Sequence, residues 1–289
     1  MKRLIVNADD FGLTSGVNRA VAELHLAGVL TSTTLMACAA NTKEAIELAR
    51  TLPSLGVGCH VTLVDGQAAL PPNKNSSLVK PRSREFYSSL PAFLALLYSG
   101  RIRAAEIEAE AAAQIAQLRS RGLRLTHVDT HKHTHMFPAV LRPLLRAARA
   151  AGIRAVRNPF EPVWAVRATA GASWARWAEV NLLRKLQDAC RRIVAEEGFV
   201  TTDGTIAVVG TGILNGSLVR SMLAQLPEGT WELVTHPGYN DADLERVRTR
   251  LKASRDIERH ALMTIKDFPE IELTSFATLR GDSGTKSSV

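Results

Sequence analysis

Short apolar runs alternate with segments of helical period along most of this chain, an alternation that implies a parallel sheet or barrel dressed with helices. Leu4-Ile5-Val6-Asn7-Ala8-Asp9-Asp10 reads as a buried strand ending in two carboxylates. Thr14 or Ser15 can cap a helix whose Val17, Ala20, Val21 and Leu24 keep helical spacing, with Gly28 as its stop. β-Branched Thr31, Thr33 and Thr34 mark a second strand over 30–36, and Asn41 or Thr42 opens a helix that Pro53 ends. Gly56 to Thr62 is a third strand, and helical pattern resumes near Leu90 and over 101–121. Leu123 to Val128 alternates as a strand does, which puts Leu125, His127, Asp129 and His131 on one face. Pro138 opens the next helix, Ile153 to Arg157 is a fifth strand, and strands at 205–209 and 230–235 flank a helix over 216–226. A polar helix near 241–264 and a strand over 271–276 close the pattern.

The resulting expectation is an α/β fold, a TIM-like (β/α) barrel of irregular build with its active site at the C-terminal ends of the strands. One domain is expected over residues 1–279, with a polar, disordered tail at 280–289. Two segments break the rhythm. Residues 65–89 show no period and are rich in Pro, Asn and Ser, as functional loops often are. Residues 160–198 form a less regular excursion that holds Trp164, Trp174 and Trp177 among arginines. There Ala175, Ala178, Leu182, Leu186, Ala189 and Ile193 keep helical spacing. That stripe fits either a core-packed helix with a solvated basic side or an interfacial helix on anionic membrane.

Composition narrows the function classes. With 46% hydrophobic and 22% charged residues the chain is an ordinary globular protein. A net charge of +8 leaves room for nucleic acid, anionic lipid or an anionic substrate. The arginines are spread along helices, and no RNA-binding signature, zinc-finger spacing or basic arm occurs, so nucleic acid is not an expected partner. Cys38, Cys59 and Cys190 are far apart and odd in number, as reduced thiols of a cytoplasmic protein would be. The apolar run behind Lys2 and Arg3 ends too early for a signal peptide, and no window approaches the ~20 apolar residues of a membrane span. The expected location is the cytoplasm, at most peripheral at the inner membrane surface.

Four of the eight histidines fall between Thr126 and His135. Asp9 and Asp10, His60, Asp129 and His131, Arg157, and His236 each stand at or near a strand end. In a β/α barrel those ends open on one face, so residues far apart in sequence converge. Two histidines and an aspartate with an open position suit a catalytic divalent metal, and a second aspartate can take a proton from water. Taken singly, the Asp pair reads as solvated, His60 as a core residue, His236 as a turn residue and Arg157 as a surface cation. Their coincidence at strand ends favours a site. His127-Val128-Asp129 also fits half of an iron facial triad, but the alternating pattern disfavours the all-β scaffolds such sites use.

Asn7-Ala8-Asp9-Asp10-Phe11-Gly12, Gly58-Cys59-His60, the run Thr126 to His135, and Thr235-His236-Pro237-Gly238 together resemble the YdjC-like carbohydrate deacetylases. That family includes chitooligosaccharide deacetylases and a branch associated with hopanoid lipid biosynthesis. The likeness runs in order from residue 2 to about residue 279 and is weakest over 160–200. It implies a TIM-like barrel that binds magnesium or zinc and hydrolyses the acetamide of an N-acetylated amino sugar, either a soluble oligosaccharide or a hopanoid-linked glycolipid. By position it implies Asp10, His60 and His131 as metal ligands, Asp9 as general base, Arg157 as the residue orienting that base, and His236 as general acid. His127, Asp129, His133 and His135 would support the ligands or face substrate. Two other classes stay open. A non-catalytic metal-binding protein needs Asp10, His60 and His131 but has no use for Asp9 or His236. A basic membrane-surface or nucleic-acid-binding module needs the arginines and not the histidines.

Overall fold

A computed structural model describes residues 1–74 and 76–279, so the tail expected at 280–289 lies outside the described residues. The sheet is built around β1 (Lys2–Phe11), whose residues from Leu4 onward are buried. The other strands are β2 (Ser32–Leu35), β3 (Gly56–Val61), β4 (Val128–Thr130), β5 (Gly204–Ile206), β6 (Gly229–Thr235) and β7 (Glu272–Thr274). Every pairing among these strands is parallel, in the order β4-β3-β2-β1-β6-β5 with β7 beside β1. β1 is long enough to hold two neighbours on one edge, Arg3–Ile5 against β7 and Asn7–Phe11 against β2, with β6 on the other.

Beyond β4 the sheet curls on through the chain that precedes Phe160. Val128 N donates to Ala155 O at 3.1 Å, Val156 N to Val200 O at 3.0 Å, and Thr205 N to Phe160 O at 3.3 Å. The curled parallel sheet with helices around it is the irregular TIM-like α/β barrel that the alternation implied. The expected fifth strand is reduced to isolated bridges at Ala155 and Val156. Pro159 has no N–H to extend a ladder there.

The helices are α1 (Ser15–Leu26), α2 (Thr42–Thr51), α3 (Leu90–Tyr98), α4 (Ala104–Arg119), α5 (Pro138–Ala150), α6 (Val163–Ala168), α7 (Trp174–Leu183), α8 (Gln187–Glu196), α9 (Gly216–Ala224), α10 (Ala242–Arg246) and α11 (Ala253–Ala261). Thr14 Oγ1 accepts from Val17 N at 3.2 Å and so caps α1, as its position suggested. Pro138 occupies the first turn of α5. The polar stretch 241–264 is two helices rather than one, α10 and α11.

Two further expectations fail in instructive ways. Residues 123–127 do not form a regular strand, although Thr126 N still donates to Val57 O and Cys59 N to His127 O. After Thr130 the chain leaves the sheet because Lys132 (φ 56°) and His133 (φ 50°) are left-handed. His131 therefore sits in a 3-10 turn over His131–Met136, not on the strand face that alternation assigned it. In the 160–198 excursion the apolar stripe does not pack as one helix. Ala175, Ala178 and Leu182 are exposed on α7, a 3-10 turn intervenes at Arg184–Leu186, and only Cys190 and Ile193 of α8 are buried in the core.

Residues 65–89 are irregular but anchored. Leu78, Val79 and Phe86 join the main hydrophobic core, which extends from Leu4 to Ile271. The carboxylate of Glu110 accepts from Ala69 N at 2.7 Å and Leu70 N at 3.1 Å. Lys132 Nζ donates to Asp65 Oδ2 at 2.8 Å, which ties this excursion to the turn that carries His131. Among the described residues no helix is long and apolar enough to cross a membrane.

Candidate active site

Asp9 and Asp10 stand at the tip of β1, where its register against β2 shifts between Ala8 and Phe11. Asp10 takes a left-handed φ of 65°, a conformation that costs a non-glycine residue roughly 1–3 kcal/mol. Such a bulge re-aims side chains. It lets two successive carboxylates, which a regular strand would send to opposite faces, enter one site with different partners.

Asp10 splits its two oxygens. Oδ2 accepts from Arg255 Nη2 at 2.5 Å. Oδ1 lies 3.3 Å from His131 Nδ1 and 3.6 Å from His60 Nε2, and it has no hydrogen-bond partner among the described residues. His60 Nδ1 lies 2.8 Å from Asp129 Oδ1. A carboxylate can only accept, so Nδ1 carries hydrogen and Nε2 faces Asp10 and His131, where the ring once deprotonated offers its lone pair. The three donor atoms of Asp10, His60 and His131 all fall within 4.8 Å of one another. A carboxylate oxygen, two imidazole nitrogens, an unpartnered buried acceptor and an orienting carboxylate behind one histidine fit a divalent cation. Asp9, His60 and Asp129 form a second convergent group, but the Arg157 guanidinium already pairs with both of its carboxylates.

Asp9 is gripped from the other side. Arg157 Nη1 and Nη2 donate to its Oδ2 and Oδ1 at 2.9 and 2.6 Å, and Nε donates to Glu232 Oε1 at 2.8 Å. Asn7 Nδ2 and Thr34 Oγ1 add hydrogen bonds to Asp9 Oδ1 at 2.9 and 3.1 Å. His236, just past β6, places Nε2 3.8 Å from Asp9 Oδ2, and its backbone N donates to Glu258 Oε2 at 2.6 Å.

The electrostatics follow from these contacts. Burial alone would raise the Asp9 carboxyl, but Arg157 and His60 hold it well below the usual carboxylate range. Burial is likewise overcome at Asp10, chiefly by Arg255 and then His131. At His60 burial favours the neutral ring, yet Asp129 and Asp9 raise it to about 9. His236 is pushed down to about 4 by burial, with Asp9 and Asp10 pulling the other way. Burial lifts Glu232 and Glu258 to about 7.

The remaining histidines of the cluster divide. His127 is fully buried, stacked on Phe276 with ring centroids 3.9 Å apart, and its Nδ1 meets Thr126 Oγ1 at 2.9 Å. A Cβ at Gly58 would fall 2.5 Å from its Cε1, so this ring is why position 58 carries glycine. His127 is enclosed between Phe276 and Gly58, and it joins no convergent metal-donor group among the described residues. His135 is also buried, with Nδ1 2.7 Å from Thr130 Oγ1. His133 is half-buried and its Nδ1 has no hydrogen-bond partner among the described residues. Burial and then Arg157 push it down to about 3, so it presents a neutral ring.

The model of YdjC-like proteins matches residues 3–268. The chain belongs to the YdjC-like family. A carbohydrate deacetylase of Thermoanaerobacter pseudethanolicus is 30% identical over 286 residues, covering 97% of this chain and 100% of its own length. The mouse carbohydrate deacetylase is 31% identical over 251 residues, covering 82% of this chain and 78% of its own. Among solved structures, an Enterococcus faecalis protein provisionally described as a cellobiose-phosphate cleavage protein superposes with a TM-score of 0.73. It is 25% identical and covers 97% of this chain and 99% of its own. A lactam utilization protein of Thermus thermophilus shares the fold alone, with a TM-score of 0.52 at 13% identity, over 94% of this chain and 99% of its own.

Three charged residues of the site escaped the sequence reading. Glu232 was detectable, because an acid in the middle of the apolar run 230–235 is costly to bury without a partner. Arg255 and Glu258 gave no signal, since charged residues on a polar helix read as a solvated face.

Proposed function

We propose that this YdjC-like protein removes the acetyl group from an N-acetylated amino sugar, with a divalent cation held by Asp10, His60 and His131. The observation that carries this reading is the divided use of two adjacent carboxylates. Asp10 offers an unpartnered oxygen to two imidazoles, and Asp9 stands beside them against Arg157 and His236. The carbohydrate deacetylases among its relatives supply the substrate class.

A magnesium or zinc ion held there would supply a Lewis acid for the acetyl carbonyl and for water. The rest falls to the chain. Asp9 is ionised at neutral pH and oriented by the Arg157 fork, so it can accept the proton of the attacking water. Oxygen adds to the acetyl carbon, the C–N bond breaks, and the amine nitrogen must be protonated as it leaves. His236 is the proposed donor. Its neutral ring at pH 7 must first be protonated, and Asp9 Oδ2 at 3.8 Å is placed to pass that proton on. Acetate and a free amino sugar result. A non-catalytic metal-binding role would leave the Asp9–Arg157–His236 arrangement without use.

The substrate is either a soluble N-acetylated oligosaccharide or a lipid-linked one at the inner membrane surface. The second is favoured by α7, where Trp174 is 82%, Leu182 63% and Trp177 49% exposed, with Arg167, Lys185, Arg191 and Arg192 also exposed nearby in the chain. Aromatic and basic residues in that mixture suit an anionic interface. The test is acetate release from chitooligosaccharides and from an N-acetylglucosaminyl lipid, before and after chelation. The expected result is release from one class, abolished by the chelator and restored by a divalent ion. Release from neither class, or release indifferent to chelation, would overturn the proposal.

A further inference from the structure

Arg255 is one of the largest fully buried side chains, and it stands in the first turn of α11. Its Nη2 bonds Asp10 Oδ2 at 2.5 Å, while Nε and Nη1 have no hydrogen-bond partner among the described residues. Burying a guanidinium with two idle donors is unfavourable unless its charge is needed where it sits. The chain takes trouble to hold it there. Gly238 N donates to Arg255 O at 3.2 Å, and a Cβ at Gly238 would fall 3.2 Å from Arg255 Cδ and 3.1 Å from Val17 Cγ2. Gly238, two residues past His236, thus clears the path of the arginine stem. Three residues on, Glu258 accepts from His236 N, so one face of α11 reaches both the Asp10 and the His236 sides of the site.

We propose that Arg255 is a positioning residue for the metal site. It occupies Asp10 Oδ2, so that Asp10 can offer a cation only Oδ1, and it is the counter-ion of that carboxylate in the metal-free protein. A carboxylate freed of this bond can offer both oxygens, and the second would take a position that water or the acetyl oxygen needs. Its negative charge, no longer shared with a guanidinium, would also attract a cation more strongly. Arg255 thereby trades metal affinity for an open coordination position. This inference rests on the reading of Asp10, His60 and His131 as the metal site.

The test loads cobalt(II) into the full-length wild type, Arg255→Met and Arg255→Lys. It records the visible absorption bands, the cobalt dissociation constant, the Tm with and without cobalt, and acetate release. Arg255→Met is expected to bind cobalt more tightly than wild type, with altered bands, while turnover falls about 10- to 100-fold. Its Tm should drop in the metal-free form and recover with cobalt. Arg255→Lys keeps the charge and should restore wild-type affinity and much of the turnover. A merely structural role predicts equal Tm losses with and without cobalt, with unchanged bands, and that result overturns the inference. If Arg255→Met fails to fold even with cobalt, Arg255→Lys decides, since wild-type cobalt affinity with much of the turnover supports the inference and weakened cobalt binding overturns it. Wild type that takes up no cobalt sinks the metal-site reading itself. A wild type that binds, beside an Arg255→Met variant that binds no more tightly, overturns the role of Arg255 alone.

Discussion

Asp9 and Asp10 are neighbours with the same side chain, and their surroundings make them different reagents. One is clamped by a bidentate arginine, and the other is left with a bare oxygen between two imidazoles. His60 joins the two halves, since Asp129 holds its Nδ1 and its Nε2 faces Asp10. With its folded value raised from 6.5 to about 9, protonated His60 stabilises the metal-free protein fully below pH 6.5, and that contribution fades as pH rises toward 9. A cation must displace this proton to reach Nε2. Metal affinity should therefore rise about tenfold per pH unit between pH 6.5 and 9 and level off above. Titrations with magnesium or zinc across that range check it, and a flat profile would contradict the assignment of His60. At this scale polar groups at the end of an apolar run were readable, as at Asp9, His60 and His236, whereas Glu232 in the middle of one was passed over. The sequence was unreadable where a charged residue sat among charged residues, as at Arg255.

Among elements, the strand tips were legible because period and turn residues agree there, and α1 begins at the cap its sequence offers. The turn after β4 was not, because nothing in Lys132-His133 announces two left-handed residues, and strand alternation was carried one residue too far. The excursion 160–198 was left open for another reason. Helical period persists through Ala175, Ala178 and Leu182, but period says which residues share a face, not whether that face is covered. On α7 it is open, with Trp174 82% exposed. The protein should co-sediment with vesicles of anionic lipid at low salt, release them as salt screens the arginines, and bind less when Trp174 and Trp177 are replaced by alanine. Absence of binding by protein that retains its deacetylase activity would remove the membrane from the account.

At the scale of the whole molecule, the curled sheet is what makes chemistry from scattered residues. Asp9 and Arg157 are 148 residues apart in sequence, and the curl of the sheet beyond β4 brings Arg157 back to the tip of β1. Barrel architecture was legible from the alternation of strands and helices, and the convergence of strand ends followed from it. The way the sheet curls on was not, because the segment at Ala155–Val156 makes bridges too short to leave a strand signature. The same convergence allows Asp9 to be neutralised without stranding its partner, since Arg157 keeps Asp129 and Glu232. Metal content and acetate release, measured side by side on Asp9→Asn and Asp10→Asn, therefore separate the base from the ligand. The prediction is that Asp10→Asn loses metal and activity together, whereas Asp9→Asn keeps its metal and loses roughly 10²–10⁴-fold in rate. Asp9→Asn without metal beside Asp10→Asn with it, or near-normal turnover in both, would contradict the account.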